Sequence, residues 1–269
     1  MNDKSEIQKI ELGILKEIDK LCKQHDISYF LIGGSMLGAV RHQGFIPWDD
    51  DIDIGMLRED YEKFAQIAES ELAHPYKINT FRNDKSHHYY FMHVVNTGHS
   101  VRRLGSLDRR VENVWVDIYP IDGFPGGAVK QKAEYLKLQF YRFMYHMGYF
   151  EKINLARPGR PLYQRILLTV FKKTYRLFTV DGSKWREKLD SELKRLSGKY
   201  KDYYINFIGM QGKRELFKAD VFFPLKQYTF EDMVTNGVND PDNYLTQLYG
   251  DWRNPPANKE VHPMEVINE

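Results

Sequence analysis

The sequence predicts an α/β chain of the α+β kind: a mixed β-sheet with packed helices, plus a mainly helical region. Three observations carry this. Short runs of β-forming residues bounded by turn signals recur between Ser28 and Asp122. Segments with helical apolar spacing are threaded among the first of these runs. From Val129 to about Tyr200 the pattern is mostly helical, broken at 157–161 (RPGRP) and 181–183 (DGS). A run of strands and turns followed by helices suggests a twisted sheet with helices packed on it.

Taken in order, residues 6–25 place Ile7, Ile10, Leu12, Ile14, Leu15, Ile18 and Leu21 at the spacing of an amphipathic helix. Ser28 to Ile32 is a short apolar run that ends in two glycines and reads as a strand. Residues 35–44 (SMLGAVRHQG) read as a short helix closed by Gly44, and Phe45-Ile46-Pro47 as a turn. Asp49 to Gly55 reads as a second strand. Residues 57–72 set Tyr61, Phe64, Ile67, Ala68 and Leu72 on one side of a helix. Strands are expected at 76–81, 89–96, 99–104 and 114–122. The tail from Pro241, rich in Pro, Asn and Gly, is expected to be irregular. The natural division is 1–128 as a catalytic core, 129–200 as a basic helical region, and 201–269 as a segment that returns to the active site.

Composition narrows the function. With 269 residues, 42% of them apolar and 14% aromatic, the chain can bury a sizeable core. A net charge of +2 gives no support for general nucleic-acid binding. No apolar run approaches the roughly 18 residues of a membrane span. The charged, helix-periodic N-terminus does not read as a signal peptide. Cys22 is the single cysteine, so an internal disulfide and cysteine-rich zinc sites are ruled out. A cytoplasmic location fits these features. His87, His88, His93 and His99 lack a carboxylate–histidine zinc pattern and read as a polar strand start.

The stretch from Gly33 to Ile54, GGSMLGAVRHQGFIPWDDDIDI, carries the chemistry. In a strand, alternate side chains share a face, which would point Asp49, Asp51 and Asp53 one way and send Ile52 and Ile54 to the core. Carboxylates on one face repel unless a cation sits among them. Oxygen ligands suit Mg²⁺ or Mn²⁺, and Mg²⁺ is usually held by one or two carboxylates plus substrate phosphates. Gly33, Gly34 and Ser35 would supply the phosphate half: the glycines permit close backbone approach, and Ser35 is a good cap for a helix whose free N–H groups bind phosphate. No GK[ST] follows, so this is not a P-loop. Asp117, framed by Trp115, Val116 and Ile118, is a further carboxylate in an apolar strand.

The order strand, GGS, helix, strand, DxD resembles the nucleotidyltransferase superfamily, in which a third carboxylate comes from a later strand. More closely, GGSMLGAVRHQGFIPWDDDID resembles the signature of the LicD family, which includes the fukutin-related transferases. REDYEKF (58–64), VDIYPIDGFP (116–125), LYGDWRNPP (248–256) and a later His262 also match. The middle, 129–200, matches no motif. The resemblance implies a nucleotidyltransferase-like fold that moves a phospho-substituent from a CDP-activated donor to a glycan hydroxyl. In bacterial members the group is typically phosphocholine, placed on teichoic acid or lipopolysaccharide sugars, so CDP-choline is the first donor expected. It also implies that Asp51 and Asp53 are metal ligands assisted by Asp49, that Asp117 is the third carboxylate, and that Gly34 and Ser35 form the phosphate turn. Asp51, Asp53 and Asp117 are thus the catalytic candidates, with Asp117 also the candidate general base.

Further substrate-binding candidates carry a structural alternative each. Arg41 could reach donor phosphate or make a surface ion pair. Trp48 could stack on cytosine or wedge the turn. Asp122 could bind ribose or acceptor, or cap a turn. Tyr249, Asp251 and His262 belong to the C-terminal signature and are expected to fold back over the pocket. From Arg157 to Lys201 there are 13 Lys/Arg against 4 Asp/Glu. RPLYQRILLTVFKKTYRLF could lie on an anionic membrane surface at the inner face of the plasma membrane, or pack as a helix with a solvated basic face. Two rival functions remain at this level. One is a true nucleotidyltransferase attaching NMP to a sugar phosphate, alcohol or protein. The other is a non-catalytic nucleotide- or glycan-binding module.

Overall fold

The computed structural model describes residues 5–84, 87, 89–103, 111–149, 180–255 and 264–267. Helix α1 (Glu6–Gln24) starts where Ser5 caps it. The Ser5 Oγ accepts the Gln8 N–H and the Gln8 side chain accepts the Ser5 N–H, both at 3.1 Å. Its apolar stripe, with Ile14, Leu15 and Ile18 fully buried, packs across strands β4 (Met92–Arg103) and β5 (Val111–Phe124).

Strand β1 is only Phe30–Leu31, because α2 (Gly33–His42) takes over at the glycine pair. The expected closure of α2 at Gly44 shifts: Gln43 is the C-cap, in the left-handed conformation at φ 58°. Strand β2 spans Asp53–Leu57, not Asp49 to Gly55. The Ile46 carbonyl accepts the Asp49 N–H at 2.9 Å, which curls the chain where side-chain alternation suggested extension. Asp49, Asp50 and Asp51 therefore lie in a loop leading into the strand. Helix α3 (Arg58–Glu71) and strand β3 (Tyr76–Asn79) follow as the periodicity indicates. The strands expected at 89–96 and 99–104 are one, β4, whose register against β5 shifts between Asn96 and Ser100.

The main sheet is mixed, in the order β1-β2-β5-β4-β10, where β10 is Met264–Ile267. β2 and β5 run parallel; β1–β2, β4–β5, β3–β4 and β10–β4 are antiparallel. The far end of β5 pairs with β6 (Tyr203–Ile205), and β6 with β7 (Leu216–Lys218). The hairpin β8 (Lys226–Phe230) and β9 (Met233–Gly237) stands apart. The tail is not irregular throughout. Past a short helix α6 (Ala219–Phe222), Pro241–Tyr249 forms helix α7, capped by the Asp240 side chain with Pro241 in its first turn. Tyr244, Leu245 and Leu248 share its buried side, an apolar spacing masked by the Pro and Asn around it.

The helical region is described only at its ends, α4 (Ala128–Gly148) and α5 (Gly182–Lys199); the basic stretch at 160–178 lies outside the described residues. α4 and α5 pack together around Leu138, Leu189, Leu193 and Leu196, which also bury Phe124 and Ile205 from the sheet. A buried ion network fastens α5 to the sheet. Arg58 donates to both carboxylate oxygens of Asp122, at 2.7 and 2.8 Å, and to Asp190 of α5 at 3.1 Å. Burial would push the Asp190 carboxyl up, but Arg58, Arg82 and Lys194 outweigh it and hold it low.

Removing the central cation leaves two buried carboxylates under-compensated. Arg58→Ala is expected to cost about 3–5 kcal/mol in urea unfolding, the usual size for one partner of a buried pair. A loss below about 1 kcal/mol would show that the network does not fasten α5 to the sheet.

Candidate active site

The parallel register of β2 and β5 sets Asp53 opposite Asp117. Paired residues of neighbouring strands share a face, so both carboxylates leave the sheet on one side. Ile52, Ile54 and Ile118 point the other way and are fully buried. On the far side of β5, His93 of β4 is paired with Asp117. Its Nε2 lies 2.9 Å from Asp117 Oδ1, without the alignment of a hydrogen bond, and its ring stacks on Trp115.

Two glycines let the carboxylates press against the first turn of α2. A Cβ on Gly33, which sits at φ +54°, would stand 3.3 Å from Asp53 Oδ2; one on Gly34 would stand 3.1 Å from Asp49 Oδ2. Any side chain there would crowd the acidic face. Ser35 is not the helix cap, a place taken by Ile32. It is buried, and its Oγ accepts the Asp53 N–H at 2.8 Å, which fixes the start of β2 against α2. The amide end of α2 carries partial positive charge toward these acids.

The electrostatics are those of crowded like charges. Burial, then Asp51, Asp117 and Asp49, push the Asp53 carboxyl well above the usual range. Asp49 is pushed up to about 8 by burial and then by Asp51, with which its carboxyl is hydrogen-bonded. Tyr249 of α7 brings its hydroxyl 3.7 Å from the same Gly33 Cβ position. That hydroxyl is pushed up by burial and then by Asp53 and Glu215. Tyr244 holds the glycine turn by accepting the Gly33 N–H at 3.0 Å.

The structure thus brings together Gly33, Gly34, Ser35, Asp49, Asp51, Asp53, Asp117 and Tyr249. Arg41 serves another purpose: it donates to the Trp252 carbonyl at 2.7 Å and to His42 at 2.9 Å, tying α2 to the C-terminal segment. Trp48 lies beside the His42 ring and the Arg41 guanidinium and packs partly on the core. Asp122 is a correction. It is 1% exposed, with its oxygens taken by Arg58 and Ser197, so it cannot bind ribose or acceptor. Asp251 accepts from Asn254 at the surface. His262 lies outside the described residues.

Three residues that bear on the site were not marked by the sequence: Glu11, His93 and Glu215. Each is far in sequence from the acidic motif. The one available signal was a charged residue on an apolar helix face, as at Glu11.

The donor set fits a hard divalent cation. It consists of carboxylates, and Asp117 Oδ1 is buried without a hydrogen-bond partner. Among the described residues no three His, Cys, Asp or Glu side chains are arranged to hold an ion by themselves. A Mg²⁺ held by one or two carboxylates and completed by phosphate oxygens does not need a third.

Residues 26–147 match the LicD/FKTN/FKRP nucleotidyltransferase domain. The chain is 26% identical to the lipopolysaccharide cholinephosphotransferase LicD of Haemophilus influenzae, across 97% of this chain and 95% of that one. Over 45 residues it is 47% identical to the human ribitol 5-phosphate transferase FKRP, 17% of this chain and 9% of that one. An uncharacterized Rickettsia typhi protein is 48% identical over 54 residues, 20% of this chain and 18% of that one.

Glu215 gives the site a pH signature. It is 7% exposed, and burial pushes its carboxyl up to about 7 from 4.5. Between those values the folded chain keeps a proton that the unfolded chain has lost. The group's stabilising contribution is therefore full below about pH 4.5 and lost as pH rises through about 7. Glu215→Gln keeps the acceptor for the Gln211 N–H. In metal-free buffer its Tm at about pH 8 should exceed the parent's by ~2–5 °C, with the two converging near pH 5. An offset that does not change with pH would show that Glu215 is ionised throughout.

Proposed function

From a chain that carries a LicD-family domain over residues 26–147, we propose a transferase that moves a phospho-substituent from a CDP-activated donor to a hydroxyl of a cell-surface glycan. Phosphocholine, from CDP-choline, is the first candidate for the group moved. A teichoic acid or lipopolysaccharide sugar is the acceptor class. The observation that carries this is the gathering of Asp49, Asp51, Asp53 and Asp117 against the side-chain-free turn at Gly33 and Gly34. That is a polyanion site built of anions, which makes sense when a cation and a pyrophosphate share it. The match in length to a cholinephosphotransferase supports the choline reading, and the shorter match to a ribitol phosphate transferase supports the reaction class.

Asp51, Asp53 and Asp117, with Asp49 beside them, would hold Mg²⁺ or Mn²⁺, which when bound neutralises pyrophosphate charge. The backbone N–H groups of Gly34 and Ser35 face the donor phosphates. Ser35 keeps Asp53 in place through its backbone. Asp117 takes the proton of the acceptor hydroxyl, and His93 at 2.9 Å from Oδ1 steadies the carboxylate. The acceptor oxygen bonds to the distal phosphorus, the bond from that phosphorus to CMP breaks, and CMP leaves. Tyr249 closes the pocket from the C-terminal segment. No described helix is long and apolar enough to cross a membrane. Contact with a lipid-linked acceptor is proposed to be peripheral, at the cytoplasmic face.

The name of the matched domain favours one second reading, transfer of a nucleotidyl group to a sugar phosphate, alcohol or protein. Products separate the two, since transfer of the distal group releases CMP and nucleotidyl transfer releases the distal part. Incubation with CDP-choline, CDP-ribitol, CDP-glycerol and CDP-ethanolamine in Mg²⁺ should show one donor that raises Tm selectively and yields CMP with acceptor. Asp51→Ala and Asp53→Asn should lower that turnover by roughly 10²–10³-fold or more. Unchanged turnover in a folded Asp51→Ala variant would remove the mechanism.

A further inference from the structure

Helix α1 precedes the span of the domain match, yet it supplies two polar side chains to the acidic site. Gln8 and Glu11 are three residues apart and so share one side of the helix. Both are buried within its otherwise apolar face, 7% and 2% exposed. Gln8 Nε2 donates to the Asp49 carbonyl at 2.8 Å, which holds the acidic loop. Glu11 Oε2 is buried and has no hydrogen-bond partner. Its strongest electrostatic neighbours are Asp51, Asp50, Asp117 and Asp49, all acids. Asp117 Oδ1 is buried as well, but has His93 Nε2 2.9 Å away, so Glu11 is the more isolated of the two.

An apolar residue at position 11 would complete the helix face at no electrostatic cost, and a buried acceptor left unpaired is penalised. The orphan oxygen therefore asks for a donor that the protein does not provide. A hydrated divalent cation is such a donor: Mg²⁺ gives up its waters reluctantly, and those waters point their hydrogens outward. Outer contacts of this kind orient the ion's water shell and add to the binding that the direct ligands supply. We propose that Glu11 is a positioning residue of the cation site, accepting hydrogen bonds from water on a divalent cation held by the aspartates, so that α1 belongs to the active site. This rests on the cation reading given under the proposed function. Gln8 and Glu11 then act as one device, the first fixing the loop and the second fixing the ion's water shell.

The test uses the full chain with Mn²⁺ alone and Mg²⁺ alone as probes. Thermal unfolding against cation concentration, and Mn²⁺ paramagnetic resonance, each give a half-saturating concentration. For Glu11→Ala this should rise about 10- to 100-fold, the usual effect of removing an outer-shell partner. Glu11→Gln, nearly isosteric and keeping an acceptor oxygen, should rise by a smaller factor and so rescue part of the loss. A purely structural Glu11 would alter the metal-free Tm and leave the half-saturating concentration where it is. Unchanged or tighter cation binding in both folded variants overturns the proposal while leaving the parent's site intact. If Glu11→Ala does not fold, Glu11→Gln decides alone. If the parent itself responds to neither ion, the cation reading falls and this inference falls with it.

Discussion

Mutual repulsion among half-buried carboxylates is the interaction around which this protein is arranged. Asp49, Asp51, Asp53 and Asp117 come from one loop and two strands, and Glu11 faces them from α1. Nothing in a folded chain gathers like charges without a compensating field. One compensation is built in: the amide end of α2 is aimed at the cluster, and the glycines at 33 and 34 let it come close. A second, a divalent cation with its polyanionic ligand, is what the proposed function adds.

The same strand displays the opposite solution five residues on. Asp122 is 1% exposed, but Arg58 meets both of its oxygens and Ser197 donates to one. Asp190 beside it is held by Arg58, Arg82 and Lys194. One carboxylate network is neutralised by the protein and the other, at Asp53 and Asp117, is surrounded by acids. That contrast separates a fastening from a site. It also explains a false lead: Asp122 sits in a motif of matching sequence, yet strand alternation turns it to the other face, where it joins α5 to the sheet.

The acidic motif, the glycine turn and the apolar frame of Asp117 were legible because their chemistry is local. Strand alternation does not hold over the whole acidic run. Asp53 belongs to β2, whereas Asp49 and Asp51 lie in the loop before it, and a turn bond from Asp49 to Ile46 makes the difference. Ser35 was expected to cap a helix and instead anchors the Asp53 backbone, because α2 begins two residues earlier. The tail from Pro241 looked irregular by composition, yet an Asp cap and three apolar residues on one side suffice for a helix when a core is there to receive them. Arg41 looked like a phosphate ligand by charge alone and is engaged with the Trp252 carbonyl.

By itself the sequence determined the kind of fold and marked Asp49, Asp51, Asp53 and Asp117 as candidates for a cation site, since each follows from residue types within a few positions of one another. Only the tertiary structure decided which acids face each other, that His93, Glu11 and Glu215 join them, and that Asp122 does not. The reason is physical. Charge and apolar periodicity act along the chain and can be read there, whereas repulsion, burial and hydrogen-bond partnership depend on distances between segments that sequence separation does not encode.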